Sequence, residues 1–505
     1  MRILTLFEDI PYVKLIIENN VDITGLSCDY RKISKTDLLF LSPRREVFIS
    51  VLKGAKNIVT KRKRIVNIKE QILYFSFRLI AFFCKVNFIF IENINDTLAH
   101  VSAKFYDYPD RKLTIIGVTG TNGKTSITYM TESILKKLNI DIGVLGTINY
   151  RFADYNEPSP ITTPRPIELY KMMAEMVKSK IKYLIMEVSS MSLTENRVKY
   201  VDFDIAVFTN LTQDHLDYHK NMEQYFNAKR LLFYHISKSS NKKKKFAIIN
   251  YDDDYGKKLL NDKNITVNKI SYSTTSKFCN SFLLAQNIRF DVKSCSFTLI
   301  SNFAKEEIKT NQIGLHNIYN IMAVIAICSS IGIESNKIIE ALKDLSGAPG
   351  RLEQVTSNKN FSVMIDYAHT DDALKNVLSA INKLNHSRII TVFGCGGNRD
   401  KTKRPKMAEV ACNMSDLVFI TSDNPRKENP ITIIKDIEKG AQKTNKNNYK
   451  IIVDRKEAIQ QAILTAKAND IVLIAGKGHE KYQIIGKSEF YFDDKEVASE
   501  ILNRL

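Results

Sequence analysis

The sequence predicts an α/β protein built mainly on parallel sheets, and three observations lead there. Short apolar runs rich in β-branched residues alternate with helical patterns over most of the chain. The run 113–118 feeds a glycine-rich turn and then a helical pattern at 127–138, which makes one strand-turn-helix unit. The length of 505 residues suits about three domains of roughly 150 residues each. Punctuation gives the boundaries. Tyr106-Asp107-Tyr108-Pro109-Asp110 closes a first region, and Ser346-Gly347-Ala348-Pro349-Gly350-Arg351 opens the last with two glycines and a proline. The expected domains are 1–110, 111–346 and 347–505.

Hydrophobic residues make up 44% and charged residues 26%, the composition of globular cores rather than of disorder. Seven scattered cysteines without a CxxC pair argue against a disulfide scaffold or zinc ribbon and for a reducing, cytoplasmic compartment. The first residues meet acids by position 8 and show no cleavage site after an apolar core, so no signal peptide is expected. The most apolar window, 72–84, contains Arg78 and falls short of the ~18 residues of a membrane span. It reads as a buried helix or strand.

Lys+Arg total 74 against 55 Asp+Glu, a formal charge of +19. Nucleic acid, an anionic membrane, a phosphorylated ligand or compositional bias would each account for it. The densest runs, Lys61-Arg62-Lys63-Arg64 and Lys242-Lys243-Lys244-Lys245, are not interleaved with aromatics. They read as solvated loops, and no nucleic-acid partner is expected.

Taken in order, the first chemical element is Gly117-x-x-Gly120-Thr121-Asn122-Gly123-Lys124-Thr125-Ser126 between strand and helix. Glycines let backbone N–H groups turn to phosphate oxygens, the lysine reaches terminal phosphates, and the threonine hydroxyl suits Mg²⁺. The strict P-loop would need glycine at position 118, which is valine. The next run ends in Glu187, a carboxylate at a strand's C-terminal end, where doubly wound sheets bind ligands. It serves either as a metal ligand or as an acid facing water. The strand 205–208 leads into a crowded Asp214, His215, Asp217 and His219. His215 reads equally as a metal ligand or a helix-capping residue, since Mg²⁺ prefers oxygen. Lys229, in a helical pattern just downstream, reads as a surface lysine.

With Gly314-Leu-His316-Asn317, Pro349-Gly-Arg351, Asp366-Tyr-Ala-His369, Gly394 to Pro405, Asp423-Asn424-Pro425-Arg426 and Gly476-Lys-Gly-His-Glu480, the ordered set resembles the Mur ligases, within them the MurE type, over residues 85–505. The resemblance implies three domains: a small N-terminal α/β UDP-binding domain, a central P-loop ATPase-like parallel-sheet domain and a C-terminal Rossmann-like domain. It implies an ATP-dependent amide ligase, acting through an acyl phosphate, that adds meso-diaminopimelate to UDP-N-acetylmuramoyl-L-alanyl-D-glutamate in peptidoglycan synthesis. By resemblance Gly120, Thr121, Asn122, Gly123, Lys124, Thr125, Ser126, Asn317, Arg351, Asp366 and His369 bind ATP. Thr125, Glu187, His215 and a carbamylated Lys229 hold Mg²⁺. Tyr30, Thr162, Thr163, Ser189, Glu195 and Arg197 meet the UDP substrate. Arg399, Asp423, Asn424, Pro425, Arg426, Gly476 and Glu480 meet diaminopimelate. Arg426 suits the distal carboxylate, which lysine lacks, because a guanidinium binds it bidentately. Departures lie in the first domain: Tyr30 stands in place of a serine, and Glu195 in place of a glutamine, putting an anion near an anionic substrate. Lysine-adding and folylpolyglutamate synthetase-like ligases are the alternatives, and a monomer without a membrane span is expected.

Overall fold

The computed structural model describes residues 1–11, 13–42, 44–61, 68–239, 242–291, 294–302 and 305–505. They form two compact units. The first takes residues 1–117, 141–206 and 228–245; the second takes 118–140, 207–227 and 246–505. Arg62, Lys63 and Arg64 of the first basic run, and the Asp217 side chain, lie outside the described residues.

In the first unit a five-stranded sheet runs in the order Lys14–Ile16, Asn87–Ile91, Asn57–Lys61, Asp37–Leu41, Gly25–Ser27. All neighbours are parallel except the pair made by Lys14–Ile16. The strand Asn87–Ile91 is buried along its whole length because both faces are covered. Phe88 and Phe90 join Leu39, Leu41, Ile58, Phe77 and Ala81 on one face. Ile89 and Ile91 join Leu38, Phe40, Val59, Leu98 and Val101 on the other. The apolar window forms the helix Ile68–Cys84. Phe77 and Ala81 are buried as expected, but Phe75, Leu79, Phe82 and Phe83 are exposed. A helix laid on a sheet buries one stripe, and this helix is apolar on a second.

The same unit holds a parallel pair, Ile142–Leu145 with Tyr183–Glu187, extended by the antiparallel strands Asn149–Phe152 and Tyr155–Pro158. Of the second lysine run, Lys242 pairs with Asp204 at 2.6 Å and Lys245 donates to the Ile236 carbonyl at 2.8 Å. Only Lys243 and Lys244 are exposed, so the solvated-loop reading holds for the middle of the run alone.

In the second unit, Phe246–Asn250, Asn268–Ser273 and Ser281–Phe290 pair in parallel, then Cys295–Ser301 and Lys305–Thr310 add antiparallel strands. A six-stranded sheet follows in the order Glu353–Val355, Ser362–Asp366, Ile471–Ala475, Ile389–Phe393, Leu417–Ile420, Tyr449–Ile451. It is parallel except for its first pair. Four of its helices are capped by side chains. Thr370, Asn429, Asp454 and Asp493 each cap a helix by accepting a first-turn N–H, at Asp371–Ile381, Pro430–Lys443, Arg455–Thr465 and Asp494–Arg504. Separate cores fill the two faces, one around Met407, Ile437 and Leu473, the other around Ile459, Val472 and Ile501. No helix among the described residues is long and apolar enough to cross a membrane.

Candidate active site

Strand Thr114–Thr119 enters the glycine turn, and helix Lys124–Lys137 leaves it. Gly120 and Gly123 have φ of +146° and +91°, a region that side chains avoid. A Cβ at Gly120 would also collide with Thr209 Oγ1. The loop is fastened from outside. Asn122 N–H donates to Asn210 Oδ1 at 2.9 Å, Thr209 Oγ1 to the Asn122 carbonyl at 2.6 Å, and Asn122 Nδ2 to Asp372 at 3.3 Å. Lys124 Nζ reaches back to the carbonyls of Gly120 and Thr121, at 2.9 and 2.8 Å. The cap residue Gly123 offers no side chain to the first-turn N–H groups, which fits an anion taking that place.

Beside the loop lies a cavity of about 350 Å³. Asn122, Gly123, Ser126, Asn317, Arg351 and Asp366, all expected at a nucleotide, line it, whereas Gly120, Thr121, Lys124, Thr125 and His369 do not. Asn317 is set by donating to the Ile313 carbonyl and accepting from Asn320. Arg351 lies over the Tyr367 ring at 4.7 Å, and its buried Nε has no hydrogen-bond partner among the described residues. A half-buried guanidinium with an unpaired Nε fits a negatively charged ligand. Asp366 is held above the usual carboxylate range by burial, partly offset by Arg351. Burial also pushes His316 and His369 down to about 4, so both are neutral at pH 7.

In the first unit, Glu187 is 1% exposed and accepts Thr147 N–H and Oγ1, both at 2.9 Å. It therefore does not face water. Thr162 touches Thr147 Oγ1 at 3.3 Å. Thr163 Oγ1 donates to the Glu187 carbonyl at 2.9 Å and accepts from Ser189 N–H at 3.0 Å. Arg197 Nη1 donates to the Thr163 carbonyl, while its Nε and Nη2 hold Glu195 at 2.7 and 2.6 Å. Thr162, Thr163, Ser189, Glu195 and Arg197 thus form one network around Glu187. Glu195 pairs with Arg197, so the extra anion is neutralised locally.

Tyr30 packs on the Phe77 core with Lys53 Nζ 5.1 Å from its ring, and neighbouring Asp29 and Arg31 pair at 2.8 Å. His215 stands at the N-cap of Leu216–His219 with φ +52°, but its side chain makes no capping hydrogen bond. Its ring lies 3.5 Å from Asp214 instead, which removes the capping alternative. Lys229 is 2% exposed, contrary to the surface reading. In helix Met222–Lys238 it shares a stripe with buried Tyr225, Leu232 and Ile236, at spacings of four, three and four. That phase is the signal that would have found it.

The C-terminal sheet brings the residues expected at the acceptor together at its strand ends. Asn424 Nδ2 donates to Glu480 at 2.8 Å. Gly476 lies against Asp423, since a Cβ there would come within 2.8 Å of its carboxylate. Gly396 lies against Arg426 Nη1 and the Arg399 stem in the same sense. Arg426 has φ +50°. The hairpin Tyr482–Ile485/Ser488–Tyr491 holds it there: Arg426 N–H donates to Ile484, and Gly486 N–H to Arg426, at 2.9 and 2.7 Å. Burial and the Asp423 charge hold Glu480 above the usual carboxylate range, against Lys477.

Three supporting cations escaped the sequence reading. Arg455 is fully buried, pairs with buried Asp494 at 2.7 Å and donates to the Ala475 carbonyl at 3.0 Å, just before Gly476. Arg404 is fully buried between Glu428 and Asp436, both at 3.1 Å, and also reaches the Gly396 carbonyl. Lys477 is fully buried 3.6 Å from Glu480.

A glycine loop on a helix N-terminus, a nucleotide-sized cavity and a charged cluster on a second sheet are the parts of an ATP-using ligase. The chain belongs to the Mur ligase family: residues 118–328 match the Mur ligase middle domain, and residues 350–478 the Mur ligase, glutamate ligase domain. Over 515 aligned residues it is 42% identical to UDP-N-acetylmuramoyl-L-alanyl-D-glutamate–2,6-diaminopimelate ligase 1 of Clostridium acetobutylicum, with 100% of both chains covered. The corresponding ligase of Fusobacterium nucleatum is 40% identical over 99% of each chain. A solved structure of a UDP-N-acetylmuramoyl-L-alanyl-D-glutamate–2,6-diaminopimelate ligase superposes with a TM-score of 0.66, at 27% identity over 97% of each chain.

Proposed function

We propose that the protein is a cytoplasmic, ATP-dependent amide ligase of peptidoglycan synthesis that joins meso-diaminopimelate to UDP-N-acetylmuramoyl-L-alanyl-D-glutamate. Full-length relatives are named as UDP-N-acetylmuramoyl-L-alanyl-D-glutamate–2,6-diaminopimelate ligases, which supports this reading. The observation that carries the acceptor is the cluster in which Arg426, Asp423, Asn424 and Glu480 meet at the strand ends. A guanidinium for the distal carboxylate and carboxylates for the distal ammonium match the two charges at the far end of meso-diaminopimelate.

The reaction must join two anions and then expel phosphate. The substrate carboxylate oxygen attacks the γ-phosphorus of ATP, and the bond to the ADP oxygen breaks. The acceptor amine, having lost a proton, attacks the acyl carbon. The tetrahedral adduct collapses by breaking the bond to the phosphate oxygen, leaving the amide. Lys124 and the first-turn N–H groups of helix Lys124–Lys137 would stabilise the triphosphate. Arg351, Asn317, Asp366 and His369 would hold the nucleotide; Thr162, Thr163, Ser189, Glu195, Arg197 and Tyr30 the UDP substrate; Arg399, Asp423, Asn424, Pro425, Arg426, Gly476 and Glu480 the acceptor. Thr125, Glu187, His215 and carbamylated Lys229 are the proposed Mg²⁺ ligands, and the ion bound there would screen phosphate and carboxylate charge. Burial of Glu187 and Lys229 supports their roles. Carbamylation joins CO₂ to the neutral Nζ, releases a proton and supplies the oxygen ligand that Mg²⁺ prefers. The proposed division of labour follows residues 1–110, 111–346 and 347–505, in a monomer.

The test is phosphate release by purified protein with ATP, Mg²⁺ and UDP-N-acetylmuramoyl-L-alanyl-D-glutamate. Meso-diaminopimelate should support turnover and L-lysine should not. Silence with both acceptors removes the proposal, and preference for lysine removes the role of Arg426.

A further inference from the structure

We propose that helix Ile68–Cys84, which lies in a strongly basic stretch of the sequence, docks on an anionic lipid surface. Phe75, Leu79, Phe82 and Phe83 follow one another at spacings of four, three and one, a single stripe of the helix. They are 61, 44, 66 and 77% exposed, while Phe77 and Ala81 on the opposite stripe serve the sheet core. Helix Arg44–Leu52, which enters the same core through Val47, adds half-exposed Phe48, stacked on Phe77 at 5.7 Å. Large aromatic side chains collected on one face of a helix mark an interaction surface rather than scattered surface apolarity.

Charge identifies the occupant. Residues 53–85 contain nine lysines and arginines and one acid, Glu70, so this stretch carries 9 − 1 = +8 of the chain's +19. A lipid surface offers apolar depth beneath negative headgroups, which is what an apolar stripe carried by so basic a stretch of sequence fits. A second copy of this chain fits poorly, because a two-fold contact would set +8 against +8. At 17 residues the helix is about 25 Å long, shorter than the ~30 Å hydrocarbon layer, and Arg78 interrupts it. It lies in the interface plane and does not span. None of the residues proposed for ATP, Mg²⁺ or acceptor falls between 44 and 85, and Tyr30, proposed for the UDP substrate, packs against the Phe77 core rather than among the exposed stripe residues.

The chain contains no tryptophan, so Phe82→Trp in the full-length protein is a single fluorescent reporter. Its emission should shift to the blue with vesicles of phosphatidylglycerol and phosphatidylcholine, and stay unmoved with phosphatidylcholine alone. Leu464→Trp, on an exposed helix position elsewhere, should not respond. In co-sedimentation, Phe82→Ser with Phe83→Ser should weaken partition to the anionic vesicles about tenfold or more, and added salt should weaken it further. Unchanged ligase turnover in solution will show that the double variant folds. The proposal is overturned if the native chain ignores anionic vesicles or if the double variant binds them equally. It is also overturned if the stripe instead mediates a dimer, or contact with a protein, that the double variant abolishes.

Discussion

The five-stranded sheet of residues 14–91 and the six-stranded sheet of residues 353–475 share a plan: mostly parallel strands with helices on both faces. They differ in what they bury and what they leave out. The C-terminal sheet encloses one whole ion pair, Arg455 with Asp494, and buries Arg404 against a partly exposed Glu428, beneath the loops at its strand ends. The N-terminal sheet buries no such pair among its described residues and leaves aromatic side chains on its outer helix uncovered. Buried pairs add little net stability, because desolvation offsets attraction, but they hold backbone in place. The carbonyls they fix, Ala475 and Gly396, belong to the two glycine loops against Asp423 and Arg426. Precision is concentrated where charged substrate is expected, and the other sheet offers a surface.

The comparison breaks first at Arg455. Arg455→Met should cost about 3–5 kcal/mol by stranding the buried Asp494 carboxylate, read as a lower denaturation midpoint. The double variant Arg455→Met with Asp494→Leu should recover much of that stability yet still bind meso-diaminopimelate poorly, seen as a raised KM. A double variant with native KM would show that the pair only fills space.

Arg426 sharpens the contrast in a different currency, recognition without stability. Arg426→Ala should lower kcat/KM for meso-diaminopimelate about 100-fold, a loss of roughly 3 kcal/mol for a charge-assisted contact. The midpoint should barely move. An equal loss with L-lysine would show that the guanidinium does not read the distal carboxylate.

The smallest effect is pH-dependent. Burial pushes His479 from 6.5 down to about 4. Between those values the unfolded chain binds the proton and the folded chain does not, so this residue makes stability fall as pH falls from 6.5 towards 4. His479→Gln should remove about 1.4 kcal/mol per pH unit of that acid sensitivity. Asp366 and Glu480, raised by burial, act in the opposite sense, so the difference between native and variant curves is the readout. Residues 1–110 hold one histidine, His100, and their hydrogen exchange should be the same in both proteins.

Much of this architecture is legible in sequence because its causes are local. Glycines at 120 and 123 and the apolar run before them act within a few positions, and strand Thr114–Thr119 and helix Lys124–Lys137 follow them. Lys229 is a surface lysine by composition alone, and only its helical phase with Tyr225, Leu232 and Ile236 marks it as buried. Arg404 and Arg455 were invisible because their partners lie 24 to 39 residues away, and only the folded sheet joins them. The window 72–84 was half misread, since apolarity shows that a stripe can be buried and not that something is there to bury it. Glu195 seemed a liability until Arg197 was found beside it.

The hairpin fastened to Arg426 has a consequence for altering this protein. Backbone hydrogen bonds tie 484 and 486 to 426, and side chains tie Asn424 to the 484 amide and Gln483 to the 423 carbonyl. The direction in which residue 426 projects is therefore encoded about sixty positions downstream. A library varied at 426 alone explores side chains on one fixed trajectory. Engineering a new acceptor calls for transplanting 423–426 and 482–486 together, as one cassette.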